Sequence, residues 1–364
     1  MEETTLALAR ALDPLTPEKD LPPLDSGLTE QAMKEGVAGI LYKSLLASGR
    51  FESLAQSNRQ RLQAFYYQTL RMNLRLMHAF KALLYQANTQ GVDVLVLQGM
   101  DLLNEPYEDI GLRPMTDIDL RVSKKDYDKI VQIFAGLGYE RDPVYPSSFK
   151  QGPILFDVHT HILWADRIQA RTLLLGRSEE DLIERVREVE IEGQRALCLS
   201  RHDQVLYLSL HAFKHRAERL IWLFDIKRIV EGWNAADWEG FLVRAAELKQ
   251  SNTVSYIAFL LMQIFRVKIP KEALELLQKK PLGFLERKIL RDRVRKGALP
   301  HWGPVLLFSS QLKPGKRLLF YFETLFPRAE VLRQVFPSSP SLKPWQLYSK
   351  RVLQLLGMLR RALS

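Results

Sequence analysis

Cysteine is nearly missing: Cys198 is the one thiol in 364 residues. A disulfide framework within the chain is thereby excluded, as is any zinc site built from several thiolates. Cys198 lies in the apolar run Ala196-Leu197-Cys198-Leu199, which suits an inert buried sulfur better than a nucleophile. Long hydrophobic runs are missing too, since no uninterrupted apolar stretch approaches the ~18 to 20 residues of a membrane span. The N-terminal Met-Glu-Glu-Thr-Thr lacks the basic start and apolar run of an export signal, so the chain is expected to be soluble and cytoplasmic. Internal repeats and low-complexity tracts are absent as well, which leaves ordinary globular packing. With 46% hydrophobic and 26% charged residues, a substantial core is expected.

Positive charge is in excess: 52 Lys and Arg face 42 Asp and Glu, a formal net charge of +10. Such a balance attracts nucleotides, nucleic acid or an anionic membrane surface without choosing among them. Basic residues are locally dense at Lys279-Lys280 and over 287–296 and 350–361. Residues 348–363 have the pattern of a basic amphipathic helix, which offers either a surface for an acidic partner or lipid headgroup, or a solvated cap on the C-terminal region.

Residues 1–90 read as helices. After a proline-rich connection (Pro14, Pro17, Pro22, Pro23), residues 28–47 and 58–87 carry apolar residues at helical spacing, such as Leu70, Leu74, Met77, Phe80, Leu83 and Leu84. The pattern changes at Gly91. Residues 92–97 form a short run rich in β-branched side chains that ends at Gln98-Gly99, the signature of a buried strand entering a turn, and a short helix is expected to start at Met100. In a strand over 116–122, Ile118, Leu120 and Val122 point one way and Asp117, Asp119 and Arg121 the other. Ser123 and Asp126 then open a helix that buries Tyr127, Ile130, Val131, Phe134 and Leu137 and stops near Gly138. A strand over 154–163 sets Asp157, His159 and His161 on one face. Beyond residue 166 the chain reads as mostly helical apart from a strand pair around Gly193, with His211 and His215 four apart on one helix and Asp225 inside an apolar one. The expected class is α/β (α+β): a small mixed sheet over 91–165 between helical regions 1–90 and 166–364.

Asp is depleted in strands, and an unpartnered buried carboxylate is costly, so a pair at i and i+2 calls for a positive neighbour. Carboxylates projecting side by side suit one or two hard cations. Two metal ions held this way stabilise the attacking and leaving oxygens of phosphoryl or nucleotidyl transfer, with a third carboxylate completing the site. Asp157 is the candidate for that third ligand. Gly99 lets backbone approach a triphosphate at the start of a short helix, while Arg113, just before the Asp pair, is expected to clamp a phosphate oxygen.

Read in order, Leu97-Gln98-Gly99, Arg113-Pro114-Met115-Thr116-Asp117-Ile118-Asp119-Leu120, Leu137-Gly138-Tyr139 and Phe156-Asp157-Val158-His159 resemble the uncharacterised bacterial nucleotidyltransferase family of the DNA polymerase β superfamily. Leu210-His211-Ala212-Phe213-Lys214-His215 and Trp222-Leu223-Phe224-Asp225 extend the resemblance over most of the chain. It implies a minimal nucleotidyltransferase core between helical regions and transfer of a nucleoside monophosphate from an NTP, dependent on Mg²⁺ or Mn²⁺. Asp117, Asp119 and Asp157 would be catalytic and metal-binding, and Gln98, Gly99, Arg113 and His159 would contact substrate. The acceptor is left open among protein or peptide hydroxyls, sugars and RNA ends. The family commonly has Lys before the glycine; Gln98 can hydrogen-bond there but carries no charge.

Other readings stay open. A non-catalytic nucleotide-binding module on the same fold suits Gln98 and the basic C-terminal region. His159-Thr160-His161 also resembles the first metal motif of barrel hydrolases, a fold that needs about eight strand and helix units. Arg121, on the Asp117 and Asp119 face, would replace part of the cation requirement. For His211, His215 and Asp225 the expectation is a buried His–Asp hydrogen bond that orients the C-terminal helices.

Overall fold

The computed structural model describes residues 4–165, 167–279, 281–337 and 342–363. Apolar residues three and four apart build the N-terminal region into α1 (Thr4–Ala11), α2 (Ser26–Lys34), α3 (Ala38–Ala47) and the 34-residue α4 (Gln56–Thr89). The helix expected over 28–47 is interrupted at Gly36, whose φ of +77° lies in the left-handed region. A β-carbon there would also lie 2.6 Å from Arg219 Nη2. The break has a use. Glu35, beside it, accepts a 2.7 Å hydrogen bond from the backbone N–H of Leu220, at the start of a later helix. On α4 the inward stripe runs through Tyr66, Asn73, Leu76, Phe80 and Leu83, and Leu74 is 54% exposed. Asn73 earns its place there by donating to the carbonyls of Ile110 (2.6 Å) and Arg113 (2.8 Å), which pins the loop leading to the Asp pair.

Seven strands form one mixed sheet: β1 (Leu95–Leu97), β2 (Ile118–Arg121), β3 (Glu140–Arg141), β4 (Ser148–Gln151), β5 (Ile154–His159), β6 (Arg187–Ile191) and β7 (Gln194–Cys198). Their spatial order is β3-β4-β5-β2-β1-β7-β6, open at both edges. β2 pairs with β5 in parallel and with β1 antiparallel, and β7 lies parallel to β1. The strand pair expected around Gly193 thus belongs to the same sheet as the 91–165 segment. The short hairpin partners β3 and β4 have no sequence expectation, because two and four residues are too few to show alternation. An open mixed sheet is not a parallel barrel, so the barrel hydrolase reading is set aside.

Between strands lie α5 (Gly99–Asn104), α6 (Tyr127–Gly136) and α7 (Glu180–Ile183). α6 starts as expected, with the Ser123 hydroxyl bonding the Asp126 carboxylate at 2.6 Å. It packs on the sheet through Phe134, which stacks on Phe149 (centroids 4.3 Å) and meets Tyr139 and Phe156. The C-terminal helices are α8 (Arg201–Lys214), α9 (Leu220–Val230), α10 (Ala235–Glu247), α11 (Ser251–Phe265), α12 (Lys271–Gln278), α13 (Phe284–Lys296), α14 (Gly303–Ser309), α15 (Pro314–Leu325), α16 (Ala329–Val335) and α17 (Pro344–Leu363).

Two buried polar ties fix α8 and α9 to the sheet. Arg113, in the loop before β2, grips Asp225 of α9 with a fork: Nε lies 3.0 Å from Oδ1 and Nη2 lies 2.9 Å from Oδ2. The Tyr107 hydroxyl donates to the same carboxylate at 2.8 Å. Asp101 of α5 accepts from Gln204 of α8 (2.5 Å) and pairs with Arg187 of β6 (3.2 Å). Its burial raises the carboxyl pKa to about 6, against the opposing influence of Cys198, Arg187 and Gln204.

Removing Asp225 would strand a buried guanidinium, so Asp225→Ala is expected to lower unfolding free energy by about 3–5 kcal/mol in urea titrations. Asp101 binds its proton more tightly in the folded chain, with a pKa of about 6, than in the unfolded chain, where a free Asp carboxyl has 3.8. Its contribution is therefore fully present below about pH 4 and lost as pH rises through 6, a change on the order of 3 kcal/mol. The stability of wild type minus that of Asp101→Asn should fall across this window when both are titrated with urea at each pH.

Candidate active site

Parallel register places Ile118, Asp119, Leu120 and Arg121 opposite Phe156, Asp157, Val158 and His159. Alternation then buries Ile118, Leu120, Phe156 and Val158 and turns Asp119 and Asp157 to the other face. The two Asp are register partners on strands ~4.8 Å apart, and Asp117 precedes them by one pleat. From the other side of β2, Leu97 pairs with Asp119, so the Gln98-Gly99 turn ends beside the carboxylates.

Asp117 and Asp157 both feel the neighbouring Asp119. Burial, then Asp119, then Asp157 push Asp117 up to about 7, although the Thr116 hydroxyl and Arg113 act against this. Asp157 is also raised, by burial first, while a hydrogen bond from the Ser148 hydroxyl on β4 and the charge of His159 pull it down. Asp119 keeps His159 Nε2 at 3.3 Å. Carboxylate oxygens gathered on one face are a hard donor set suited to a divalent cation. Among the described residues, however, no three His, Cys, Asp or Glu side chains are grouped to hold an ion by themselves. Mg²⁺ commonly takes one or two carboxylates and completes its shell with waters and substrate phosphates, so the residues fit a cation that arrives with a nucleotide.

Lys214 is the last residue of α8, and its charge and those of Asp119 and Asp157 influence one another. Its ammonium sits 3.9 Å from the centroid of the Trp164 ring. Arg171 lies over the same ring at 5.6 Å. Burial lowers the Lys214 pKa to about 7, helped by Arg171 and Arg167 and opposed by Asp119 and Asp157. Trp164, with φ of +57°, is a buried platform that also packs on Tyr207 and His211.

The remaining expected residues divide. Gln98 donates to the Tyr207 hydroxyl at 3.1 Å, beside the Asp pair, and has φ of 55°. Gly99 is required by packing: a β-carbon would lie 2.7 Å from both Arg113 Nη1 and Met115 Sδ. Arg113 is only 5% exposed and already engaged by Asp225, so its guanidinium braces the loop under Gly99 instead of opening toward a phosphate. Arg121 shares the strand face of Asp119 but pairs with Glu179 at 3.4 Å. His161 Nδ1 meets Glu179 as well, at 3.4 Å, so the two imidazoles of His159-Thr160-His161 serve different carboxylates.

The expected His–Asp hydrogen bond is not formed. Asp225 is bound by Arg113 and Tyr107, while His211 packs among the rings of Trp164, His215 and Trp222 with Nε2 unpartnered. A bidentate guanidinium is the stronger partner for a buried carboxylate. Burial accordingly drives the His211 pKa well down. Sequence reasoning did not single out Lys214, Ser148 or Tyr207. Lys214 lies within the Leu210–His215 motif, but a helix-terminal lysine ordinarily faces solvent.

A model of the family described as an uncharacterised nucleotidyltransferase matches residues 25–266. No curated protein matches the chain. Among solved structures, the solution structure of the antibiotic-resistance factor ANT(2'')-Ia is similar at 16% identity and a TM-score of 0.33, covering 49% of this chain and 92% of that one. With the matched region spanning α2 to α4, all seven strands and the helices that supply Asp225 and Lys214, the chain belongs to this uncharacterised nucleotidyltransferase family.

Proposed function

We propose that the chain transfers a nucleoside monophosphate from an NTP to a hydroxyl or phosphate acceptor at the Asp117, Asp119 and Asp157 face. The observation that carries this reading is the register of β2 and β5, which sets Asp119 against Asp157 one pleat from Asp117. One or two of these carboxylates, together with the triphosphate oxygens, would hold Mg²⁺ or Mn²⁺, which when bound neutralises triphosphate oxygens and charge developing on the leaving group.

The chain's own groups divide the remaining work. Asp157, with one carboxylate oxygen fixed by Ser148, orients an acceptor hydroxyl and takes its proton. The acceptor oxygen forms a bond to the α-phosphorus as the bond to the β-phosphate's bridging oxygen breaks, and pyrophosphate leaves. His159 holds the Asp119 carboxylate in place from 3.3 Å. Lys214, with Arg167 and Arg171 nearby, supplies the positive charge toward the triphosphate that Gln98 lacks. The Gln98-Gly99 turn, braced by Arg113, bounds the nucleotide beside Asp119.

The test is incubation of the full chain with α-labelled NTPs, Mg²⁺ or Mn²⁺ and cell extract as the acceptor source. Label should pass to an acceptor only with metal, and Asp117→Ala/Asp119→Ala should lower the rate at least ~100-fold. NTP binding without transfer would instead favour the non-catalytic nucleotide-binding module. Lys214→Gln should raise the KM for NTP about tenfold while leaving the fold intact, and Lys214→Arg should recover much of the loss, since a cation at this point meets phosphate charge. An unchanged KM in Lys214→Gln would remove this residue from the site.

A further inference from the structure

The net charge is unevenly placed. Ten Lys and Arg but only two acidic residues fall within 313–364, so this stretch carries +8 of the formal +10. The same stretch exposes large apolar side chains. On α15, Leu318, Phe322 and Leu325 recur at i, i+4 and i+7, and Leu318 and Phe322 are 69% and 63% exposed. On α17, Trp345, Val352 and Leu356 recur at i, i+7 and i+11 with Leu353 beside them, and Trp345 and Leu353 are 65% and 70% exposed. Each helix spends a different face on packing: Phe320 of α15 is buried, and Leu347 of α17 packs on Leu332 and Phe336. The outward stripes are thus left over after the fold has taken what it needs.

The two helices meet. Arg351 of α17 donates to the carbonyls of Leu325 (2.9 Å) and Thr324 (3.4 Å), and the Tyr348 hydroxyl donates to the Pro327 carbonyl at 3.1 Å. This fixes α17 at the C-terminal end of α15, where the stripe of Leu318, Phe322 and Leu325 ends.

We infer that α15 and α17 form a peripheral docking surface for an anionic lipid bilayer. Exposed Leu, Phe and Trp side chains beside a strong local excess of positive charge match acyl chains and acidic headgroups together, the combination that holds an amphipathic helix in the membrane interface. A second copy of this chain fits poorly, because an isologous contact would bring +8 against +8. Single-stranded nucleic acid would answer the charge but gains little from exposed leucines, since bases stack on flat rings. Among the described residues no helix is long and apolar enough to cross a membrane, so the attachment lies on the surface and leaves the Asp117, Asp119 and Asp157 face on its own scaffold.

The experiment is co-sedimentation of the full chain with vesicles of phosphatidylcholine alone or mixed with phosphatidylglycerol. The chain should sediment with the anionic vesicles, stay in solution with phosphatidylcholine, and be released by high salt. Leu353→Asp/Leu356→Asp and, separately, Phe322→Asp should each lower the vesicle partition coefficient about tenfold or more with helical circular dichroism unchanged. Lys313→Glu/Lys316→Glu should lower it on anionic vesicles too. No sedimentation with anionic vesicles would overturn the inference, as would binding that both apolar variants leave undiminished. Tight binding of single-stranded RNA that survives the apolar substitutions and blocks sedimentation would assign the surface to nucleic acid and overturn it equally.

Discussion

Parallel pairing of β2 with β5 brings Asp119 and Asp157 into register, and most of the surrounding construction answers the resulting repulsion. Like charges on neighbouring strands raise one another's pKa and oppose folding unless something positive or a proton donor intervenes. Here the Ser148 hydroxyl, His159 and the Lys214 ammonium each meet part of that demand, from β4, β5 and α8 respectively. The compensation is partial. Asp117 remains pushed up to about 7.

Bringing Lys214 to that face requires α8 and α9 to be held at a fixed height over the sheet. Two buried ties do this, Arg113 to Asp225 and Asp101 to Gln204 and Arg187. One starts from the loop before β2 and the other from α5, which follows the Gln98-Gly99 turn, so the same contacts brace that turn and tie it to α8 and α9. The Arg113 guanidinium, expected to meet phosphate, is instead held by Asp225 as a brace beneath the turn.

Much of this organisation was legible in the sequence because it is written in local period. The alternation of Asp117 to Val122, the apolar run ending at Gly99 and the helix opened by Ser123 appear where the pattern puts them, within a residue or two. The helix expected over 28–47 broke at Gly36 because its left-handed turn lets Glu35 reach the start of α9, a demand made 185 residues away. β3 and β4 were illegible for a simpler reason: strands of two and four residues show no alternation to read.

Partnerships among charged side chains were the least legible layer. Sequence order alone left Arg113, Arg121, His211 and Asp225 with several plausible partners each, since opposite charges attract at any separation in the chain. By itself the sequence determined the chemistry available: three carboxylates on two strand faces, a glycine turn before them and a family pattern in a set order. Only the tertiary structure decided that Arg113 goes to Asp225 and Arg121 to Glu179, and that Lys214 lies over the Trp164 ring. The physical reason is that a buried charge settles with whichever partner packing brings within hydrogen-bond reach.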